Sequence, residues 1–324
     1  MYTNQGKAPG LHNLQAVASV LLRDYVEGVA VMLNERFGFR IAERFLPLRG
    51  PDIFKWECKG QSEQQMRKHD ITIYRLRVPK EKLASIPENE RNFFFMLAHI
   101  GNELSILQKL LWFASNSRRG DGTIQDTVQT MQALFIGRLL VGKVKEAWEF
   151  VRTVLLSSPL GKIYTPLLSN EATEALNTLK EYFGKPNLID HIRNDFVFHY
   201  SSKGWSERLT SVFEKIEDAE VQFFISHSRA NSHWHGADVL VNYAILEAIE
   251  PDDPSKAMDR LIGESTEVAG WLTDFIDETL VTVAERHMGA EYVREHLTSE
   301  TIPAPPHPSK VGIPFFVRVP KKHD

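Results

Sequence analysis

The sequence predicts an all-α fold: an antiparallel helical bundle with additional flanking helices and at most a few short strands. Four segments between residues 88 and 200 carry apolar side chains at the three- and four-residue steps of an amphipathic helix. Short loops that contain Gly, Pro or a capping residue separate these segments, and short loops favour antiparallel neighbours. The 324 residues are 43% hydrophobic and 25% charged, which is enough apolar material for a packed core.

Residues 1–70 are predicted to form one helix followed by an irregular linker. Apolar side chains recur with helical period over residues 13–36, and Gly38 then ends the pattern. Prolines and glycines interrupt the linker and favour irregular structure, at Pro47, Gly50, Pro51 and Gly60. From Ile71 to Val78 apolar and polar side chains alternate, so a short strand is expected there.

The helical bundle itself is predicted over residues 71–200. Its four helices are expected at residues 88–116, 123–156, 170–183 and 186–200. Pro87 precedes the first helix, Gly184 follows the third and Pro186 opens the fourth, and these residue types are favoured at helix ends.

A second, C-terminal helical region is predicted over residues 201–300. Helical periodicity is clearest at residues 236–249 and 254–288. Residues 301–324 are rich in proline and end in basic side chains, so we expect an extended, basic tail.

Composition limits the functional classes. The single cysteine, Cys58, excludes an intramolecular disulfide and a cysteine-rich zinc site. The net charge of −4 argues against a protein that coats itself in nucleic acid, so any such contact is expected to be local. No P-loop, GxSxG, HExxH or GxGxxG motif occurs. No apolar run is long enough to span a membrane, and we expect a cytoplasmic protein with no membrane partner and no cofactor.

The segment from Ile192 to Tyr200 carries the main functional signal. Arg193 is followed by the polar Asn194, and four further residues separate Asn194 from His199. The segment lies on an apolar late helix. This pattern resembles the Arg-polar-x4-His signature of the HEPN superfamily, whose members are four- or five-helix domains that bind nucleotides or cleave RNA. The resemblance covers about residues 88–200.

The HEPN resemblance implies a metal-independent endoribonuclease or nucleotide-binding module, with a role in bacterial defence or stress. RNA or a nucleotide would be the ligand, a homodimer would bring two motifs to one cleft, and an antitoxin would be a further class of partner. His199 would act as base or acid, and Arg193 would hold the phosphate. Asn194 would orient either group, and Tyr200 would donate to a phosphate oxygen.

Two further residues are predicted to support this site. Glu103 shares a helix face with His99 and is expected to pair with Arg193 or Arg138. Arg138 lies in the preceding long helix, in a stretch that also resembles HEPN relatives.

A catalytically silent helical interaction protein is the alternative. Short motifs of this kind arise by chance, and the pair Arg229 and His235 repeats the spacing with an alanine after the arginine. In this interpretation His199 is a core residue, and Arg193 forms a structural ion pair with Glu181 or Asp190.

A metal-dependent enzyme is the second alternative, because His227, His233 and His235 cluster near Asp238. We predict no metal site there. Histidines two residues apart share a face only on a strand, whereas this segment is predicted to be a turn that leads into a helix.

Overall fold

The structure is a computed structural model that describes residues 71–115, 124–197, 202–215, 221–251, 253–303 and 311–318. The helix and linker predicted within residues 1–70 lie outside the described residues. Within the described ranges the chain forms ten α-helices and a two-stranded sheet, which confirms the all-α prediction. The elements are β1 (Ile71–Leu76), α1 (Lys80–Ala84), α2 (Glu88–Ser115), α3 (Ile124–Phe150), α4 (Pro159–Tyr164), α5 (Asn170–Phe183), α6 (Leu188–Ile192), α7 (Ser202–Glu214), α8 (His235–Ile249), α9 (Pro254–Met288), α10 (Ala290–His296) and β2 (Leu297–Ile302).

Two of these helices continue into π-helical turns. Helix α3 runs on into Val151–Leu156, and α6 runs on into Arg193–Val197. Short 3₁₀ turns occur at Thr165–Leu167 and Arg229–Asn231. The four predicted bundle helices are thus confirmed, the last of them as far as Val197.

Side-chain caps fix where the shorter helices begin. Ser169 Oγ accepts from Ala172 N at the start of α5, and Asn187 Oδ1 accepts from Asp190 N at the start of α6. Each cap satisfies an amide that the first helical turn would otherwise leave unpaired. Helix α6 therefore begins after Asn187 and not at Pro186, because asparagine can supply the capping oxygen and proline cannot.

Contacts along the long helices show that α2 and α3 are antiparallel. Phe93 stacks on Phe150 with ring centroids 6.1 Å apart, and Glu103 lies 2.9 Å from Lys143. Residue numbers thus rise on α2 as they fall on α3.

Helix α9 also runs antiparallel to α2. Its His287 contacts Glu90 near the start of α2, and its Ile276 lies against Gly101 further along. A Cβ at Gly101 would stand 3.1 Å from Ile276 Cγ2, so the glycine permits close approach of the two helices. Because both are antiparallel to α2, α3 and α9 are parallel to each other.

The main hydrophobic core is shared across the predicted boundary at residue 200. One cluster of buried side chains runs from Phe93 on α2 to Val283 on α9, and includes residues of α3, α5, α6 and α8. Helix α9 lies against α2, α3 and α5. The Glu264 carboxylate of α9 also accepts hydrogen bonds from Tyr182 Oη and from Leu188 N, so α9 holds the start of α6 in place.

The small sheet joins β1 to β2 in antiparallel register, with Ile71 opposite Ile302 and Leu76 opposite Leu297. The predicted strand at Ile71 is confirmed. The prediction that residues up to 300 are helical is wrong at its end, because β2 begins at Leu297. Nothing in the local pattern of β2 requires a strand, since most of its residues are exposed and its partner is distant in sequence.

Part of the basic tail, residues 311–318, packs on the segment before α8. Asn231 makes two hydrogen bonds of 2.8 Å to the backbone of Val317, and Phe315 contacts His233 edge-on. No helix in the described part of the chain combines the length and the apolar character needed to cross a bilayer.

Candidate functional site

The motif segment starts where α6 changes from α-helical to π-helical hydrogen bonding. Ile189 and Ile192 are buried in the core and anchor this end of the helix. In the π turn Phe196 points into the core, while Asn194 and Asp195 are exposed. Single π turns inside helices occur frequently at functional sites.

Arg193 lies at the edge of this turn and is held by two neighbours. Its Nη2 donates to Glu146 Oε1 of α3 at 2.9 Å, and its Nη1 donates to Asn194 Oδ1 at 3.2 Å. The side chain of Arg193 is 33% exposed and that of Glu146 is 53% exposed. Arg193 Nε is buried and makes no hydrogen bond to another described residue. The guanidinium is therefore oriented by the fold but open to solvent at one side.

None of the carboxylates predicted to pair with Arg193 does so in the described structure. Glu103 binds Lys143, Asp190 binds Lys145 at 2.7 Å, and Glu181 binds Lys185 at 3.2 Å. The arginine partner that sequence analysis missed is Glu146. The local sequence does not indicate this pair, because Glu146 lies 47 positions from Arg193 and contacts it only when α6 packs on α3.

Glu103 takes a different place from the one predicted. Its carboxylate lies 2.9 Å from Lys143 Nζ and 3.7 Å from His99 Nε2. The antiparallel register puts residue 103 opposite residue 143, and Arg193 binds Glu146 instead, so the predicted pairing of Glu103 with Arg193 is wrong. The alternative pairing of Glu103 with Arg138 stays a prediction. The guanidinium of Arg138 lies 5.9 Å from the ring centroid of Phe135, on the same helix.

His199 and Tyr200 lie outside the described residues. Their predicted roles therefore stay predictions. The described part of the motif runs from Arg193 to Val197.

Asp195 forms a second polar group beside Arg193. Its carboxylate lies 3.4 Å from His191 Nδ1 and 3.9 Å from Arg208 Nη2 of α7. Below it, Phe196 contacts Trp205 edge-on, and the Arg208 guanidinium lies 4.9 Å from the Phe196 ring centroid. The spacing of His191 and Asp195, four residues apart, could have indicated this pair from sequence. Arg208 could not be found, because only the packing of α7 brings it here.

Lys145 completes the charged surface next to α6. Burial alone would lower the pKa of Lys145, but hydrogen bonds to Asp190 and Glu149 outweigh burial and raise it. The lysine therefore remains charged. On this surface Lys145 forms an ion pair with Asp190, and Arg193 forms one with Glu146. A phosphate that binds Arg193 must compete with the Glu146 carboxylate.

The histidines of the proposed metal alternative do not form a metal site in the described structure. His235 is buried and stacks on Phe224, and burial together with the charge of His233 lowers the pKa of His235. His233 lies 3.5 Å from Asp238, whereas His227 is exposed. Within the described ranges no group of three or more His, Cys, Asp or Glu side chains could hold a metal ion.

The fold defines a helical-bundle protein, and Arg193 forms a charged group with Asn194 and Glu146 on its surface. Comparisons with the models of known families, with curated proteins and with solved structures find no match to this chain. The resemblance to the HEPN superfamily rests on the motif residues and on their helical context.

Proposed function

We propose that this chain is a HEPN-like, metal-independent endoribonuclease or nucleotide-binding module in which Arg193 is the phosphate ligand. The observation that supports this proposal is the position of Arg193, whose side chain is one-third exposed in a π turn at the surface of a helical bundle. Asn194 and Glu146 hold its guanidinium in one orientation. A pre-oriented guanidinium loses little freedom when it binds a phosphate through two parallel hydrogen bonds.

Arg193 loses little free energy when it exchanges its ion pair with Glu146 for a phosphate. Ion pairs between exposed side chains contribute at most about 1 kcal/mol, because water and salt screen them. Glu146 is 53% exposed, so its carboxylate can be hydrated when Arg193 turns to a ligand. Glu146 would then keep Arg193 in place until the ligand arrives.

The cleavage reaction needs a base, an acid and a cation, and two motifs that face one cleft supply all three. A base takes the proton of the ribose 2′-hydroxyl, the 2′-oxygen bonds to phosphorus, and the 5′-oxygen leaves with a proton from an acid. The products are a 2′,3′-cyclic phosphate and a 5′-hydroxyl, and no metal or oxidant takes part. His199 serves as base or acid, Tyr200 donates to a phosphate oxygen, and Arg193 stabilises the charge that develops on the phosphorane.

The remaining parts of the proposal follow from the HEPN resemblance. They are a homodimer that brings two motifs to one cleft, a cytoplasmic role in bacterial defence or stress, and RNA or a nucleotide as the ligand. An antitoxin would be a further partner.

The test uses the full chain, a labelled single-stranded RNA and EDTA. The wild type should cleave the RNA and leave cyclic phosphate ends. Arg193→Ala and His199→Ala should each slow cleavage by a factor on the order of 10² or more, the usual contribution of such groups. Arg152→Ala is the matched control, because Arg152 is also an exposed arginine paired with a glutamate, Glu149. It should cleave at the wild-type rate.

A chain that does not cleave RNA is tested for nucleotide binding by calorimetry. ATP and AMP should then bind to the wild type and to Arg152→Ala, and more weakly to Arg193→Ala. Cleavage and binding that are both absent, or that are both unchanged in Arg193→Ala, would refute the assignment of Arg193.

One observation favours the silent interaction protein instead: Arg193 already has a carboxylate partner within its own chain. Glu146→Gln separates the two functions, because it releases Arg193 with little change of shape. A phosphate-binding Arg193 should bind nucleotide or RNA more tightly in this variant. A purely structural Arg193 should leave the variant unable to bind, with stability lowered by at most about 1 kcal/mol.

A further inference from the structure

The segment Val221–Ser226 is an extended stretch that is hydrogen-bonded along one side only. Phe224 exchanges two backbone hydrogen bonds with His233, of 2.9 and 2.7 Å, and Gly236 N donates to Gln222 O at 2.8 Å. Ser226 N donates to Ser232 Oγ on the same side. These contacts fix the segment against the residues that lead into α8.

The other side of this segment is an edge that no described strand covers. Backbone groups alternate in direction along an extended chain, so those of Val221, Phe223 and Ile225 point away from His233. They make no hydrogen bond to any described residue. The three side chains share one face and are 39%, 49% and 80% exposed. Trp234 is 65% exposed and lies against Phe223, with ring centroids 5.7 Å apart.

The edge lacks the features that usually prevent strand pairing. Natural edge strands carry a lysine, a proline or a bulge, which block pairing with another chain. The six residues Val-Gln-Phe-Phe-Ile-Ser contain no charge, no proline and no glycine, and four of them are apolar. Short, uncharged segments of high β-propensity are typical of strands that pair with copies of themselves.

We propose that this edge pairs with the same edge of a second copy of the chain, in antiparallel register about a two-fold axis at Phe223. Only the outward-facing residues can form the hydrogen-bonded pairs. The pairing therefore places Phe223 opposite its own copy and Val221 opposite Ile225. This surface includes none of the residues of the Arg193 site, so the pairing is a different contact from a dimer that brings two motifs to one cleft, and a dimer through that cleft would survive the Ile225 variants tested below. The proposal does not depend on RNA activity.

Charge in the sequence favours a second copy in this orientation. Three acidic residues precede the edge, and a histidine and an arginine follow it: Glu217, Asp218, Glu220, His227 and Arg229. Antiparallel pairing brings the acidic end of one copy towards the basic end of the other. Parallel pairing would bring like charges together, which is destabilising.

The first test is the mass of the full chain in solution, measured by light scattering over a range of concentrations. The wild type should shift from the monomer mass of 37.0 kDa to twice that mass as concentration rises. Ile225→Lys and Ile225→Pro should both remain monomeric. The lysine places a charge on the apolar row, and the proline removes an outward-facing amide without touching the inner hydrogen bonds. Phe213→Lys is the matched control, because Phe213 is 59% exposed on α7 and is not one of the edge residues, and this variant should still dimerise.

The second test reads the register through disulfide formation in a Cys58→Ser background. Residues opposite each other in a hydrogen-bonded pair have Cα atoms about 5.5 Å apart, within the range of a disulfide. Phe223→Cys should therefore cross-link two copies under mild oxidation, whereas Ile225→Cys alone should not. The double variant Val221→Cys with Ile225→Cys should cross-link again.

Several results would overturn the proposal. A wild type that stays monomeric at all concentrations, with no cross-linking of Phe223→Cys, excludes the pairing. A dimer that survives both Ile225 variants uses another surface. Cross-linking of Ile225→Cys at the rate of Phe223→Cys contradicts the register.

Discussion

A buried polar contact joins the first long helix of the bundle to the last. The Tyr164 hydroxyl at the end of α4 donates to the Glu90 carboxylate of α2, and His287 Nε2 of α9 lies 2.9 Å from that carboxylate. Tyr164 is 0% exposed and Glu90 is 6% exposed. Burial raises the pKa of Tyr164, and the charge of Glu90 raises it further, so the hydroxyl stays protonated and remains a donor.

Replacement of Tyr164 by phenylalanine should remove this hydrogen bond and little else. The ring contact with Phe93, at a centroid distance of 6.1 Å, remains possible for phenylalanine. A hydrogen bond to a charged group contributes about 1.5–3 kcal/mol, and His287 still binds the carboxylate, so we expect a loss of about 2 kcal/mol. For a chain of 324 residues, with an unfolding entropy of about 2.1 cal/mol/K per residue, that corresponds to a fall in Tm of about 3 °C.

The free energy of unfolding is measured by urea denaturation followed by circular dichroism. Tyr243→Phe is the control, because Tyr243 is half-buried and its hydroxyl makes no hydrogen bond to another described residue. That variant should change stability by no more than about 0.5 kcal/mol. If Tyr164→Phe is as stable as Tyr243→Phe, the hydroxyl does not stabilise the carboxylate and the reasoning fails.

Three other outcomes follow from the described contacts. Burial alone would raise the pKa of Glu90, but hydrogen bonds from Tyr164 and His287 and the charges of His287 and Arg286 outweigh it and lower the pKa below 4.5. The stability advantage of the wild type over Glu90→Gln should therefore be full above pH 4.5 and disappear as pH falls through the lowered value, which urea titrations at falling pH will show. Phe196→Ala should destabilise the fold by about 3–5 kcal/mol, because a buried aromatic side chain leaves a cavity; a loss below about 1 kcal/mol would place Phe196 outside the core. Metal analysis of the purified chain should find no stoichiometric zinc or iron, and one metal per chain that is lost in His233→Ala would reverse that expectation.

Local patterns were sufficient to predict most of the helices. Helix α5 has its apolar stripe, its capping Ser169 and its terminal Gly184 all within the segment itself. Helices α2 and α3 are long enough for their periodicity to be clear over several turns. The predicted and observed bounds of these helices therefore agree closely.

Contacts between distant segments could not be predicted in the same way. Strand β2 exists because β1 pairs with it, and its own residues are mostly exposed and polar. The partner of Arg193 depends on how α6 lies on α3, and the partner of Glu103 depends on the register of α2 and α3. The sequence shows directly that Arg193 and His199 are six positions apart. It does not show which carboxylate of another helix will lie beside Arg193.

The late position of α9 in the chain affects how the protein is made. Helices α2 and α3 can pair once residue 150 has been synthesised, since both helices are then complete. The face that they present to α9 stays uncovered until Met288 emerges. At about 5–20 residues per second that interval is on the order of ten seconds, during which the face of α2 around Gly101, which packs against Ile276, has no partner from α9. Nascent chains stalled between α6 and α9 should therefore depend on chaperones that bind exposed apolar helices, more than completed chains do.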